Sequence, residues 1–187
     1  MSPTPATAAA VPDRAQRERQ RAFVLRHHGF VTRVLWSQGT PRALLDDGAQ
    51  QVFLVALRDL DSIRDERAFL FGVASRVKKE LVRAAGRHVL VDDPNDVDAE
   101  LATEPSAEAL LEQKRARELL DRTLEGLPEE VRVVFVLFEI EGLTLEEIAS
   151  AIDVPRGTVS SRLRRGRELF QQATQRLRAR LGKEVSP

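Results

Sequence analysis

Apolar residues recur along this chain in steps of three and four, and no stretch alternates cleanly as successive strands would. Residues 14–37 place Phe23, Phe30, Val31, Val34 and Leu35 at mostly helical spacing, and Gly39-Thr40-Pro41 then breaks the chain. Residues 42–58 carry Leu44, Leu45, Ala49, Val52, Phe53, Ala56 and Leu57 on one stripe. Residues 59–67 are polar and read as a loop. Residues 68–86 predict another helix, with Phe69, Val73, Val77 and Leu81 every fourth residue and Arg76, Lys78, Lys79 and Arg83 on its other faces. Phe69 reads first as a core residue, and Phe71 lies off its stripe.

A second helical block follows. Ser106 is a plausible N-cap after Pro105, and Leu110, Leu111, Leu119, Leu120 and Leu124 mark the first helix. Gly126-Leu127-Pro128 ends it. Pro128 opens the next, with Glu129 and Glu130 at the positive end of its dipole. The stretch VRVVFVLFEI is rich in β-branched residues and taken alone fits a strand as well. Its proline-and-acid start, its length and the stop at Gly142 favour a helix. Thr144 and Glu147 form a capping box, so a short helix begins at Leu145, with Ile148 and Ile152 on one face. Asp153-Val154-Pro155 is a tight turn: aspartate tolerates the left-handed conformation, and proline suits a helix start. The last helix buries Val159, Leu163, Phe170, Ala173 and Leu177, and Ala149 suits a close approach of the two helices. Helix, tight turn and helix make a helix-turn-helix pattern, whose second helix commonly enters the DNA major groove.

Charge sharpens this picture. Twenty-nine bases balance twenty-nine acids overall. Residues 1–88 nevertheless hold 15 bases against 9 acids, and residues 89–107 hold 6 acids and no base. Residues 156–183 hold 9 bases and one acid, Glu168. Two basic surfaces separated by an acidic strap suit a polyanion contacted at two places. On the last helix Arg156, Ser160, Arg164 and Arg167 follow steps of four, four and three and share the face away from the core. Ser161 and Arg165 flank them. Arginine pairs with phosphates and guanine edges, and serine serves either. Gly157 and Thr158 allow a phosphate to approach the backbone N–H groups at the helix start. The plain alternative is a solvated helix face, but such a face usually carries glutamates four residues from its arginines.

Composition limits the other possibilities. Hydrophobic residues make up 42% and charged residues 31%, which places the chain among folded rather than disordered proteins. There is no cysteine, which removes disulfides and thiolate metal sites and fits a reducing cytoplasm. No apolar run approaches the ~20 residues of a membrane helix, and residues 1–13 read as a short disordered tail rather than a signal peptide. His27, His28 and His88 are the only histidines, and the adjacent pair points apart on a helix, so they read as surface or core residues. Asp46-Asp47 has no phosphate loop beside it and reads as a cap or docking pair. Trp36 reads as packing. No cofactor, metal or catalytic group is expected.

The stretch LPEEVRVVFVLFEIEGLTLEEIASAIDVPRGTVSSRLRRGRELF resembles region four of bacterial RNA polymerase sigma factors of the extracytoplasmic-function (ECF) type. Its most specific pieces are Leu127-Pro128, Arg132, Glu147-Ile148-Ala149 and Gly157-Thr158-Val159 followed by Ser161-Arg162-Leu163. DDGAQQVFLVALRDLDSIRDERAFLFGVASRV resembles region two of the same family. The chain departs from the family pattern at Gln51, Phe69, Arg76 and Ser160. The resemblance implies an all-α protein of two small helical domains: region two at 14–88, an acidic flexible linker at 89–107 and region four at 108–187. It implies docking on a coiled coil of the core polymerase largest subunit through Asp47, Gln50, Val52 and Phe53. It implies capture of the downstream, minus-ten promoter element by the loop 61–67, with Arg64 and Arg67, and by Arg76, Lys78, Lys79 and Arg83. The helix carrying Arg156, Gly157, Thr158, Ser160, Ser161, Arg164, Arg165 and Arg167 is expected to read the upstream, minus-thirty-five element. The expected partners are core RNA polymerase, promoter DNA and an anti-sigma factor. The rival reading is an ordinary helix-turn-helix regulator that binds DNA without polymerase.

Overall fold

The computed structural model describes residues 14–85 and 107–184. The expected tail, the linker up to residue 106, His88 and the Ser106 cap lie outside the described residues. Helix α1 (Arg14–Ser37) stops in a Schellman motif. Thr40 N–H donates to Leu35 O at 3.1 Å and Gly39 N–H to Trp36 O at 2.9 Å. Gly39 sits at φ +85°, which glycine adopts without strain. A 3₁₀ turn (Arg42–Leu44) leads into α2 (Leu45–Ala56). The expected loop contains a second 3₁₀ turn (Leu60–Ser62), and α3 (Glu66–Ala85) starts two residues early. Asp65 Oδ1 caps it by accepting Ala68 N–H at 3.0 Å.

Helices α1, α2 and α3 pack as one three-helix unit around Val31, Val34, Leu35, Val52, Ala56, Leu70 and Ala74, all buried. The expected order of Phe69 and Phe71 is reversed: Phe71 is buried and Phe69 only half-buried. The physical reason is that α3 is flanked by α1 and α2 and also by α6. Its apolar arc is therefore wider than one stripe of every fourth residue.

Helix α4 (Ala107–Glu125) packs on the last helix. Its expected leucine stripe is buried only at the C-terminal end, at Leu124; Leu110, Leu111 and Leu120 are exposed. The ambiguous VRVVFVLFEI stretch is helical, as α5 (Glu129–Phe135) running into a π turn (Val136–Ile140). Val131, Val133, Val134, Phe135, Val136 and Leu137 are all buried. With its apolar residues from Val131 to Leu137 all buried, this helix takes its stability from packing, which overrides β-branched propensity. Gly142 at φ +69° ends it. Helices α6 (Leu145–Ile152) and α7 (Arg156–Glu184) complete the chain.

The two helical blocks do not stand apart. Helix α1 touches α5 and the π turn, and α3 touches α6. No described helix is long and apolar enough to cross a membrane.

Candidate nucleic-acid interface

The helix-turn-helix unit is fixed at three points. At its start Thr144 N–H donates to Glu147 Oε2 at 2.7 Å, and Glu147 N–H donates to Thr144 Oγ1 at 3.2 Å. The Thr144 backbone N–H, then its hydroxyl, hold the Glu147 carboxyl below its usual pKa, and the Arg67 charge adds to this. At the corner Asp153 takes the left-handed conformation, φ 53° and ψ 53°, as its short polar side chain permits. Pro155 O then receives Thr158 N–H at 2.8 Å and Val159 N–H at 3.2 Å, which starts α7.

Packing sets the rotation of α7. Val159 and Leu163 are buried, and Phe170 stacks on Phe135 with centroids 5.2 Å apart. Gly166 lies so close to α5 that a Cβ there would meet Phe135 Cδ2 at 3.0 Å and Val131 Cγ1 at 3.2 Å. The opposite face is therefore turned outward, and Arg156, Gly157, Ser160, Ser161, Arg164, Arg165 and Arg167 are all exposed, with Thr158 half-buried. A Cβ at Gly157 would meet nothing within 4 Å, so the space beside the start of α7 is open.

Acids from other helices reach this face, which the spacing along α7 alone does not reveal. Arg156 pairs with Glu146 of α6, and Arg167 pairs with Glu139 of the π turn at 2.7 Å while lying over the Phe138 ring. Arg164 and Arg165 meet Glu168 of their own helix, at 3.9 and 3.6 Å. Ser161 Oγ donates back to Thr158 O at 2.9 Å, leaving its lone pairs outward. Exposed pairs of this kind contribute at most about 1 kcal/mol each, so a phosphate can displace them. Arg164 is the most open arginine of the face.

The first-block residues divide into two groups. Arg64, Arg76, Lys79 and Arg83 are exposed. Arg67 and Lys78 instead point at the second block: Arg67 donates to Glu141 O at 2.7 Å, and Lys78 Nζ meets Glu129 at 2.9 Å. Of the expected docking residues, Asp47 and Gln50 are exposed on α2, but Val52 and Phe53 are buried against α1 and α3 and offer no surface. Leu54, 54% exposed, follows Asp47 and Gln50 by helical steps and takes the place of Val52 and Phe53 on that face. No group of three or more metal-ligating side chains occurs among the described residues.

Sequence reasoning gave no role to Arg33 or Arg42 and noted Arg132 only within a motif. Arg42 bridges Asp121 and Glu125 at 3.0 and 3.1 Å. Partial burial opposes its charge, but those two carboxylates outweigh burial and raise its pKa. Arg33 pairs with the buried Glu141, and Arg132 donates to Ser37 O at 2.9 Å and lies over the Trp36 ring. The sequence around each residue gives no hint of these contacts, because the partners lie 79 to 108 residues apart.

This geometry defines a class first: an all-helical DNA reader with a helix-turn-helix at its C-terminal side. Residues 117–170 match the family described as sigma-70, region 4. The chain is 34% identical over 178 residues to the ECF RNA polymerase sigma-E factor of Escherichia coli (strain K12), covering 88% of this chain and 93% of that protein. It is 31% identical over 180 residues to the sigma-E factor of Haemophilus influenzae, covering 90% and 95%. Among solved structures it is similar to CnrH in complex with the cytosolic domain of CnrY, with a TM-score of 0.56 at 26% identity over 86% of this chain and 92% of that one. The sigma factor RpoE in complex with the anti-sigma factor NepR from Bartonella quintana shares the fold, with a TM-score of 0.64 at 17% identity over 84% and 98%. The chain belongs to the ECF RNA polymerase sigma factor family. The relatives span both helical blocks, which does not favour a DNA-binding domain joined to an unrelated partner domain.

Proposed function

We propose that this chain is a cytoplasmic sigma factor that catalyses nothing itself and gives core RNA polymerase its promoter. The reading rests on the outward face of α7: Ser160, Arg164 and Arg165 are presented by a helix whose inner face is locked by Val159, Leu163 and Gly166. In this reading Arg156, Gly157, Thr158, Ser160, Ser161, Arg164, Arg165 and Arg167 engage the upstream element. Arg64, Arg67, Arg76, Lys78, Lys79 and Arg83 engage the downstream element. Asp47, Gln50 and Leu54 dock on the polymerase. The family resemblance adds an anti-sigma factor as a further partner.

The mechanism follows from ordinary electrostatics. Phosphate contacts supply affinity that falls with salt. Polymerase holds both readers on one scaffold, so the second contact forms at high effective concentration. Strand opening is helped when an unstacked base is held by the protein, at a cost of a few kcal/mol. The test is Arg164→Ala with Arg165→Ala. Promoter-directed transcription falls by about thirtyfold or more if each arginine carries about 1–3 kcal/mol of base contact, while binding to core polymerase is unchanged. Unchanged transcription would remove α7 from the promoter.

A further inference from the structure

Residues 59–65 join α2 to α3 and carry Arg64, an exposed cation of the downstream-element group. Leu60 and Ile63 tuck this segment against the core, but apolar contact is non-directional. Hydrogen bonds must therefore fix where the segment ends and α3 begins. Ser62 N–H and Ser62 Oγ both donate to Asp59 O at 2.8 Å, which shapes the turn without tying it to a neighbouring helix. The Asp65 cap on Ala68 N–H is equally local.

The segment is tied to α1 at both ends. At the outer end Arg19 meets Asp61 at 2.8 Å, with both side chains well exposed, and such a pair holds weakly. At the inner end His27 Nε2 lies 2.6 Å from Glu66 Oε2, and Glu66 is the first residue of α3. The His27 side chain is 7% exposed and that of Glu66 39%. The imidazole is tilted against the Phe23 ring, with centroids 4.8 Å apart. An ionised carboxylate only accepts hydrogen bonds, so the imidazole is the donor, and a neutral ring protonated at Nε2 suffices. Arg26, 3.7 Å from the same oxygen, and the positive end of α3 both favour the carboxylate. A buried donor leaves no water to replace a lost partner, so this bond is costly to break. It is the directional anchor of the segment.

We propose that His27 is a positioning residue for the downstream promoter element: through Glu66 it pins the start of α3 to α1, and so sets the direction in which Arg64 and its segment are presented to the opened strand. This rests on the sigma-factor reading. His27 itself touches no DNA. It limits the arrangements the segment takes before DNA arrives, so less freedom is lost on binding.

The test uses the full chain with core polymerase on a promoter located by run-off transcription, and on copies of it with either the downstream or the upstream element scrambled. The ratio of transcription from intact and scrambled templates reports the reading of each element, whatever fraction of the protein is active. His27→Leu keeps the bulk and removes the donor. It should lower the downstream ratio by about tenfold, the scale of one hydrogen bond to a charged group, and leave the upstream ratio and core binding at wild-type values. His27→Gln, with an amide N–H at similar reach, should restore most of the downstream ratio. Glu66→Ala removes the same bond from its half-exposed end without disturbing the core. It should match His27→Leu, and the double variant should be no worse than either. If circular dichroism shows that His27→Leu fails to fold, Glu66→Ala decides the question alone. A wild-type downstream ratio in Glu66→Ala overturns the proposal, as does an equal fall in both ratios or a folded His27→Gln as poor as His27→Leu. Wild-type chain that directs no start with core polymerase brings down the sigma reading, and this proposal with it.

Discussion

Replacing Gly166 with alanine sets two effects against each other. In a helix interior alanine is favoured over glycine by about 1 kcal/mol, so propensity alone predicts a more stable protein. The added Cβ, however, would lie 3.0 Å from Phe135 Cδ2, 3.2 Å from Val131 Cγ1 and 3.4 Å from Phe135 Cβ. Both neighbours are buried on α5, and Phe135 is further held by its stack on Phe170. Neither can swing away into solvent. Overpacking of a tight core costs about 1–3 kcal/mol, so the clash wins by about 1 kcal/mol and Tm falls by about 2–4 °C. Gly72 is the control. It lies inside α3, and a Cβ added there would meet nothing within 4 Å, so Gly72→Ala should raise Tm by a similar amount. Thermal melts followed by circular dichroism compare the two. A rise at Gly166 equal to that at Gly72 would refute the claim that close contact with α5 sets the rotation of α7. The same variant should lose promoter activity beyond its stability loss, because a shift of α7 moves Arg164 and Arg165 together.

Single contacts give sharper tests. Thr144→Ala removes the hydroxyl's part of the capping box and should cost about 1 kcal/mol, read as a lower denaturation midpoint. Glu147 has a depressed folded pKa, so its contribution is present above the ordinary carboxylate value of 4.5 and is lost as pH falls through the folded value. The gap in Tm between wild type and Thr144→Ala should therefore narrow on going from neutral to strongly acidic pH, and a constant gap would contradict the assignment. Val52→Asp places a charge in the core of the first block and should unfold it. Leu54→Ala and Gln50→Ala should leave the melt unchanged while weakening binding to core polymerase in a pull-down titration. Core binding as tight as wild type in both surface variants would remove α2 as the docking face.

Local chemistry was legible in the sequence wherever partners lie within a few residues. The capping box at Thr144, the left-handed Asp153 and the breaks at Gly39 and Gly142 all follow from side chains and neighbours at short range. The inner faces of α2 and α7 followed from helical period, and the outward arginines followed from those. What was hidden depends on distant chain. Glu129 reads along the sequence as an ordinary helix-start acid and Glu141 carries no signal of its own, yet they pair with Lys78 and Arg33, 51 and 108 residues away. Val52 and Phe53 lie on that legible stripe of α2, and the docking role that the resemblance implied for them fails because α1 and α3 close over them. Phe71 lies off the stripe read from the sequence and is buried all the same, because α3 is covered on more than one side. The π turn leaves no mark on apolar spacing. Glu139 and Glu146 approach the arginines of α7 only once the turn has folded back.

Whether this chain gives polymerase a promoter is tested most directly by run-off transcription from fragmented DNA of the source genome, with purified core RNA polymerase and with or without this protein. A sigma factor should yield defined new start sites only when both are present, and aligning them should reveal two separated sequence elements. An absence of new starts, together with tight sequence-specific binding by the protein alone, would contradict that role and identify a regulator that needs no polymerase.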